Sequence, residues 1–129
     1  MKRILASLAV TLALSACASA PACRTQTALF LGSAIGSAGE SVSETDWECF
    51  LADAVVARFP DGFTVLEATG VYRQRADGAL IRERTRILLF VHPDDEGTGA
   101  AIAAIAEDYK RRFRQESVLK VEQCASFAF

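Results

Sequence analysis

The 129-residue sequence predicts an α+β fold, a ferredoxin-like βαββαβ arrangement in which a four-stranded antiparallel sheet carries both helices on one face. Three observations lead there. Two apolar-rich runs, 63–74 and 80–91, flank Asp77-Gly78, the strongest short-range hairpin signal a sequence offers. One helix-patterned segment lies on either side of that hairpin. Beyond each helix stands one more apolar strand, 25–31 on one side and 117–121 on the other.

The first strand runs into 32–39, where Gly32, Gly36 and Gly39 mark a loop. The loop lacks the Lys-Ser/Thr ending of a phosphate-binding loop. Ser43-Glu44-Thr45-Asp46 is a capping box, and the helix it opens places Trp47, Phe50, Leu51, Ala54 and the stem of Arg58 on one stripe. Trp47 has the chemistry to stack on a ligand, but at helical spacing with Phe50 it reads as core. Cys49 falls on the opposite side, as a free, intermolecular or reactive thiol with no histidine near it in sequence. Phe59-Pro60-Asp61-Gly62 ends the helix and turns the chain into the hairpin.

The second helix is expected from about 95 to 114, with Ile102, Ile105, Ala106, Tyr109 and Phe113 as its buried stripe. Acids at its start and Lys110, Arg111, Arg112 and Arg114 at its end suit the helix dipole. Glu107–Arg111 and Asp108–Arg112 stand as i,i+4 pairs. That basic end is chemically able to touch anionic lipid, but complementing the dipole already accounts for it. Residues 124–129 form an apolar tail that extends the last strand.

Residues 1–16 read as a lipoprotein signal peptide rather than as fold. Lys2 and Arg3 precede an apolar run, 4–14, too short to span a bilayer. Leu14-Ser15-Ala16-Cys17 resembles the bacterial lipobox, so Cys17 is the expected site of lipidation, a diacylglycerol with palmitate-type chains. The competing cleavage after Ala18-Ser19-Ala20 would leave Pro21 first, which peptidases of that class disfavour. Ala18 is not the aspartate that resembles an inner-membrane retention signal, which points to the outer membrane, facing the periplasm. Residues 17–24 are then a tether and 25–129 one domain.

Losing Lys2 and Arg3 moves the net charge from −2 to −4, which excludes a nucleic-acid partner on charge grounds. In an oxidising compartment Cys23 and Cys124, at the outer ends of the first and last strands, are expected to form a disulfide. Closing so long a loop is worth roughly 4–5 kcal/mol in the chain-entropy model. Two unpaired thiols at frayed ends is the alternative.

A two-residue turn at Asp77-Gly78 sets Ala76 opposite Ala79 and Tyr72 opposite Glu83. Paired residues share a face. Leu66, Ala68, Gly70, Tyr72, Ile81, Thr85, Ile87, Leu89 and Val91 then lie together, a set suited to cover by helices. Phe63, Val65, Arg73, Arg84, Leu88 and Phe90 lie on the other face, with Glu67, Arg82 and Arg86. Large apolar groups mixed with arginines there make it the candidate interaction face, for a homodimer or an envelope protein partner.

Arg58-Phe59-Pro60-Asp61-Gly62-Phe63-Thr64-Val65, Arg82-Glu83-Arg84, His92-Pro93-Asp94-Asp95 and Tyr109-Lys110-Arg111-Arg112-Phe113, followed by Gln115-Glu116-Ser117-Val118-Leu119, resemble a bacterial family known as domain of unknown function 3574. The resemblance spans roughly 29–121 and implies a secreted protein or lipoprotein. It supplies no substrate, cofactor or catalytic residue. Arg114 departs from the glycine expected to close the second helix.

Residues with chemistry are few. His92, followed by Pro93, Asp94, Asp95 and Glu96, is chemically fit to ligate a metal, but no second ligand cluster accompanies it and the acids suit a helix start. Glu83 and Tyr72 are a pair able to move a proton in a cavity, although a solvated ionic face with Arg73, Arg82 and Arg84 explains them as well. No Ser-His-Asp set, metal-spaced histidine pair or dinucleotide fingerprint occurs, so neither cofactor nor metal is expected. Two functions follow. One is a lipid-anchored interaction or structural module using its open sheet face. The alternative is a dimeric αβ-barrel that encloses a small ligand, as a binding protein or a cofactor-independent enzyme.

Overall fold

A computed structural model describes residues 24–35, 39–73 and 77–127; Cys17, Cys23 and the expected signal peptide, 1–16, lie outside them. The elements are β1 (Arg24–Gly32), β2 (Ala34–Ile35), β3 (Glu40–Ser41), α1 (Glu44–Phe50) with a π-helical continuation (Leu51–Val56), β4 (Thr64–Arg73), β5 (Leu80–His92), α2 (Glu96–Phe113) and β6 (Leu119–Ala125). The main sheet has the order β4-β5-β1-β6 and is antiparallel throughout. With two helices packed on one side, this is the ferredoxin-like α+β fold that the element order predicts. Among the described residues no helix is long and apolar enough to cross a membrane.

Both helix starts form as their sequences dictate. Ser43 is extended and its hydroxyl accepts from Asp46 N, satisfying an amide that the first turn leaves without a partner. Asp95 does the same for Thr98 N. The first helix departs from its expected stripe: Trp47, Phe50, Ala54 and Val55 are buried, while Leu51 is only half-buried. The π-helical segment Leu51–Val56 buries Ala54 and Val55, the latter eight residues on from Trp47 and therefore on the same side. In α2, Ile102, Ile105, Tyr109 and Phe113 are buried as expected.

Three details differ from expectation. The glycine-rich stretch is not all loop, because Ala34–Ile35 and Glu40–Ser41 pair as a miniature hairpin. The long hairpin sits two residues out of the expected register: Arg73 opposes Leu80, Tyr72 opposes Ile81, and Gly70 opposes Glu83. Its turn is therefore longer than two residues; Asp77 caps Ala79 N and Gly78 adopts φ 73°. A shift of two leaves every side chain on its own face. The basic residues of α2 also pair differently, Lys110 with Glu107, Arg111 with Asp108, and Arg112 with Asp53 across to the π-helical segment.

The main correction concerns which sheet face the helices cover. Leu29 and Leu31 of β1 and Leu88 and Phe90 of β5 are buried in one cluster with Trp47, Phe50, Ile102, Ile105 and Tyr109. The face holding Leu88 and Phe90 is thus the core, not an open surface. Phe63 is half-buried beside Phe90, with ring centroids 6.0 Å apart. Val65 is only marginally exposed. Arg73 and Arg84 are exposed beyond the helices, where Arg84 pairs with Glu67 and Glu44. Arg86 is the arginine that misleads. It is 2% exposed, stacks on Trp47 at 4.6 Å, and is neutralised by Glu44 and Glu67.

Candidate functional site

With the helices on the Leu88 face, no described helix covers the opposite, bare face of the sheet. The register builds it in rows. Val121, Ala28, Leu89 and Thr64 form one row, and Leu119, Phe30, Ile87 and Leu66 the next. Gly32, Thr85 and Ala68 follow, then Glu83 with Gly70, then Ile81 with Tyr72. Leu66, Tyr72, Val91, Leu119 and Val121 are between 41% and 59% exposed. Such continuous apolar exposure marks an interaction surface rather than the water-facing side of a two-layer fold.

One corner of this face is built differently. Gly32 ends β1 and Gly70 lies mid-β4, and each leaves room for a neighbour. A Cβ at Gly32 would stand 2.7 Å from Glu83 Oε1, and one at Gly70 would stand 2.6 Å from Thr85 Oγ1. The Glu83 carboxylate therefore lies across Gly32, where its Oε2 accepts from Ala34 N at 3.0 Å. From the helix side the Tyr109 hydroxyl donates to Gly32 O at 2.8 Å. Burial, reinforced by the Glu83 charge against the opposing influence of Arg86, pushes the Tyr109 phenol well above its ordinary range, so it stays protonated and keeps donating. Tyr72 and Glu83, paired directly in the sequence reading, are brought together as diagonal neighbours on the bare face.

The other singled-out residues are placed elsewhere. His92 is buried at the far end of β5, between two clefts of about 360 Å³ and 460 Å³. A carbonyl only accepts, so its Nδ1 donates to Pro93 O at 2.7 Å; in the neutral ring Nε2 accepts from the Thr27 hydroxyl at 2.8 Å. Both ring nitrogens are thereby occupied. Among the described residues no group of three histidine, cysteine, aspartate or glutamate side chains is placed to hold a metal. Cys49 is an exposed free thiol on the outer side of α1. Cys124 opposes Thr25 across the β1–β6 pair and is not free of interactions; its expected partner Cys23 lies outside the described residues.

Sequence reasoning grouped the bare face correctly but gave it to the helices. Gly32 and Ala34 as neighbours of Glu83 were missed altogether, because the contact joins positions 49 residues apart.

Two solved structures share the fold. The chain aligns with a phage SAM lyase in complex with S-methyl-5′-thioadenosine at a TM-score of 0.60 and 18% identity, covering 78% of this chain and 81% of that one. The apo state of a phage SAM lyase aligns at 0.59 and 18%, covering 79% and 81%. No curated protein matches. Residues 26–129 match the family described as "Protein of unknown function (DUF3574)", and the chain belongs to that family.

Proposed function

We propose that this chain is an envelope lipoprotein whose domain acts by association through its bare sheet face, and that a second copy of the chain covers that face. The exposure of Leu66, Tyr72, Val91, Leu119 and Val121 on one continuous surface carries the reading. Four strands about 4.8 Å apart, each roughly eight residues long at about 3.3 Å per residue, present about 500 Å² per copy. Two copies then bury about 1,000 Å², the lower limit for a specific interface. A face this poor in charge resembles an obligate interface, and two-fold packing makes it complementary to itself.

Cys17 supplies the anchor to the outer membrane, and 17–24 the tether that leads into β1. A Cys23–Cys124 bridge would fasten the tether to β6. It is supported by the antiparallel β1–β6 pair and by Thr25 lying opposite Cys124. Detergent phase partitioning tests the anchor: the wild-type chain enters the detergent phase, and residues 22–129 secreted behind a cleavable signal stay in the aqueous phase.

Native mass spectrometry of residues 22–129, secreted to a periplasm without the lipid, tests the association. A dimer is expected, and Leu66→Asp with Leu119→Asp should give a folded monomer. A wild-type chain that stays monomeric at high micromolar concentration would overturn the reading.

A second reading is favoured by the polar corner at Glu83, Thr85 and Tyr72, at one end of an otherwise apolar face. Two faces packed together enclose that corner as a small-molecule site. The fold shared with a phage SAM lyase makes an adenosine carrying a sulfonium or thioether sulfur the first ligand to try.

A further inference from the structure

We propose that the Glu83 carboxylate is the charge-recognising group of a site for a small organic cation, a sulfonium or ammonium compound with an aromatic or apolar body, lodged on the bare face against Glu83 and Tyr72. This rests on the second reading above, that the face encloses a small molecule.

The inference comes from charge balance. Glu83 is the acid at this corner, half-buried, and one of its oxygens is satisfied by Ala34 N. Among the described residues it has no cationic partner. Arg82, Arg84 and Arg86 alternate onto the opposite face, and the last two are held by Glu44 and Glu67. Arg24 shares the face but stands at the other end of β1, about 26 Å away at 3.3 Å per residue, and is already engaged. Covering the face strips water from Glu83, and an unpaired buried carboxylate is costly. A ligand cation removes that cost. The two glycines let the Glu83 carboxylate and the Thr85 hydroxyl lie close against the sheet, and Tyr72 beside them offers an exposed ring for an apolar or cationic body.

The test titrates residues 22–129, secreted behind a cleavable signal so that no lipid is attached, with S-adenosylmethionine and with S-methyl-5′-thioadenosine, a neutral thioether that carries neither the cationic sulfur nor an ammonium group. Calorimetry reads affinity, and native mass spectrometry reads oligomer and bound mass together. The sulfonium compound is expected to bind tighter than the thioether. Glu83→Gln should weaken it about tenfold or more, the worth of a charge-assisted contact, and leave the thioether nearly unchanged. A dimer that binds neither compound, or both equally, overturns this inference and leaves the association standing. A Glu83→Gln chain that no longer dimerises also overturns it, because the carboxylate would then pair with the other copy. A wild-type chain that never dimerises overturns the association itself.

Discussion

The two faces of the sheet are both apolar, and they differ in how their polar groups are handled. Under the helices, Leu29, Leu31, Leu88 and Phe90 are fully packed, and the buried charge, Arg86, is matched by Trp47, Glu44 and Glu67. On the bare side, Leu66, Leu119 and Val121 meet solvent, and among the described residues Glu83 has an amide but no cation. A core completes its charges within the chain. A surface built for a partner or ligand leaves one open. The comparison explains why hydropathy cannot separate the faces: the covered one contains the arginine, and the uncovered one is the more uniformly aliphatic.

The difference is sharpest for matched leucines. Leu88→Ala removes a fully buried side chain and should cost about 3 kcal/mol in urea unfolding at dilute concentration, with a range of about 2–5. Leu66→Ala, on the bare side of the same hairpin, should stay within about 0.5 kcal/mol under those conditions. Equal costs would mean that the bare face is packed within the single chain.

The next largest effect lies at Arg86. Replacing it with methionine keeps much of the volume and loses the stacking on Trp47, for an expected cost of about 2 kcal/mol. Glu44 and Glu67 are exposed and return to water, so the cost stays below that of stranding a buried charge.

A smaller gain is expected at the end of α2. Arg114 holds φ 51° and ψ 40°, a left-handed cap suited to glycine, and its N–H reaches Lys110 O. Arg114→Gly should raise stability by about 0.5–1 kcal/mol, measured by thermal unfolding, despite loss of the exposed pair with Glu40.

The smallest effect is on the acid limb. The bond from Arg84, then that from Arg86, hold the Glu67 carboxyl below its ordinary 4.5, while bonds from Thr98 hold Asp95 below 3.8. Both are lowered on folding, so their stabilisation is complete above those ordinary values and fades as pH falls through the depressed ones. Arg84→Ala should carry the Glu67 contribution back toward 4.5 and make stability below pH 4.5 less pH-dependent. An unchanged acid limb would detach Arg84 from Glu67.

Much of the fold was legible in sequence because local chemistry decided it. Ser43 and Asp95 capped their helices, Ile102, Ile105, Tyr109 and Phe113 fell on one stripe, and Asp77 and Gly78 lay in the turn. Register failed by two residues because it depends on turn length, which Asp77-Gly78 alone does not fix. The face assignment failed because β1 alternates Leu29 and Leu31 with Ala28 and Phe30, apolar on both sides. Only the helices choose between them, and Arg86 over Trp47 is invisible until α1 is docked. The polar corner was half legible: Tyr72 and Glu83 were noticed, whereas Gly32 and Ala34 reach Glu83 only through the β1–β5 pairing.

Differential thiol alkylation bears most directly on the claim that the bare face is the interface. In a Cys49→Ser background, Leu66→Cys places a thiol on the bare face and Thr69→Cys places one on an exposed position of the opposite face. As protein concentration rises, the account expects alkylation at 66 to slow while alkylation at 69 stays constant. A rate at 66 that never changes, or two rates that fall together, would contradict it.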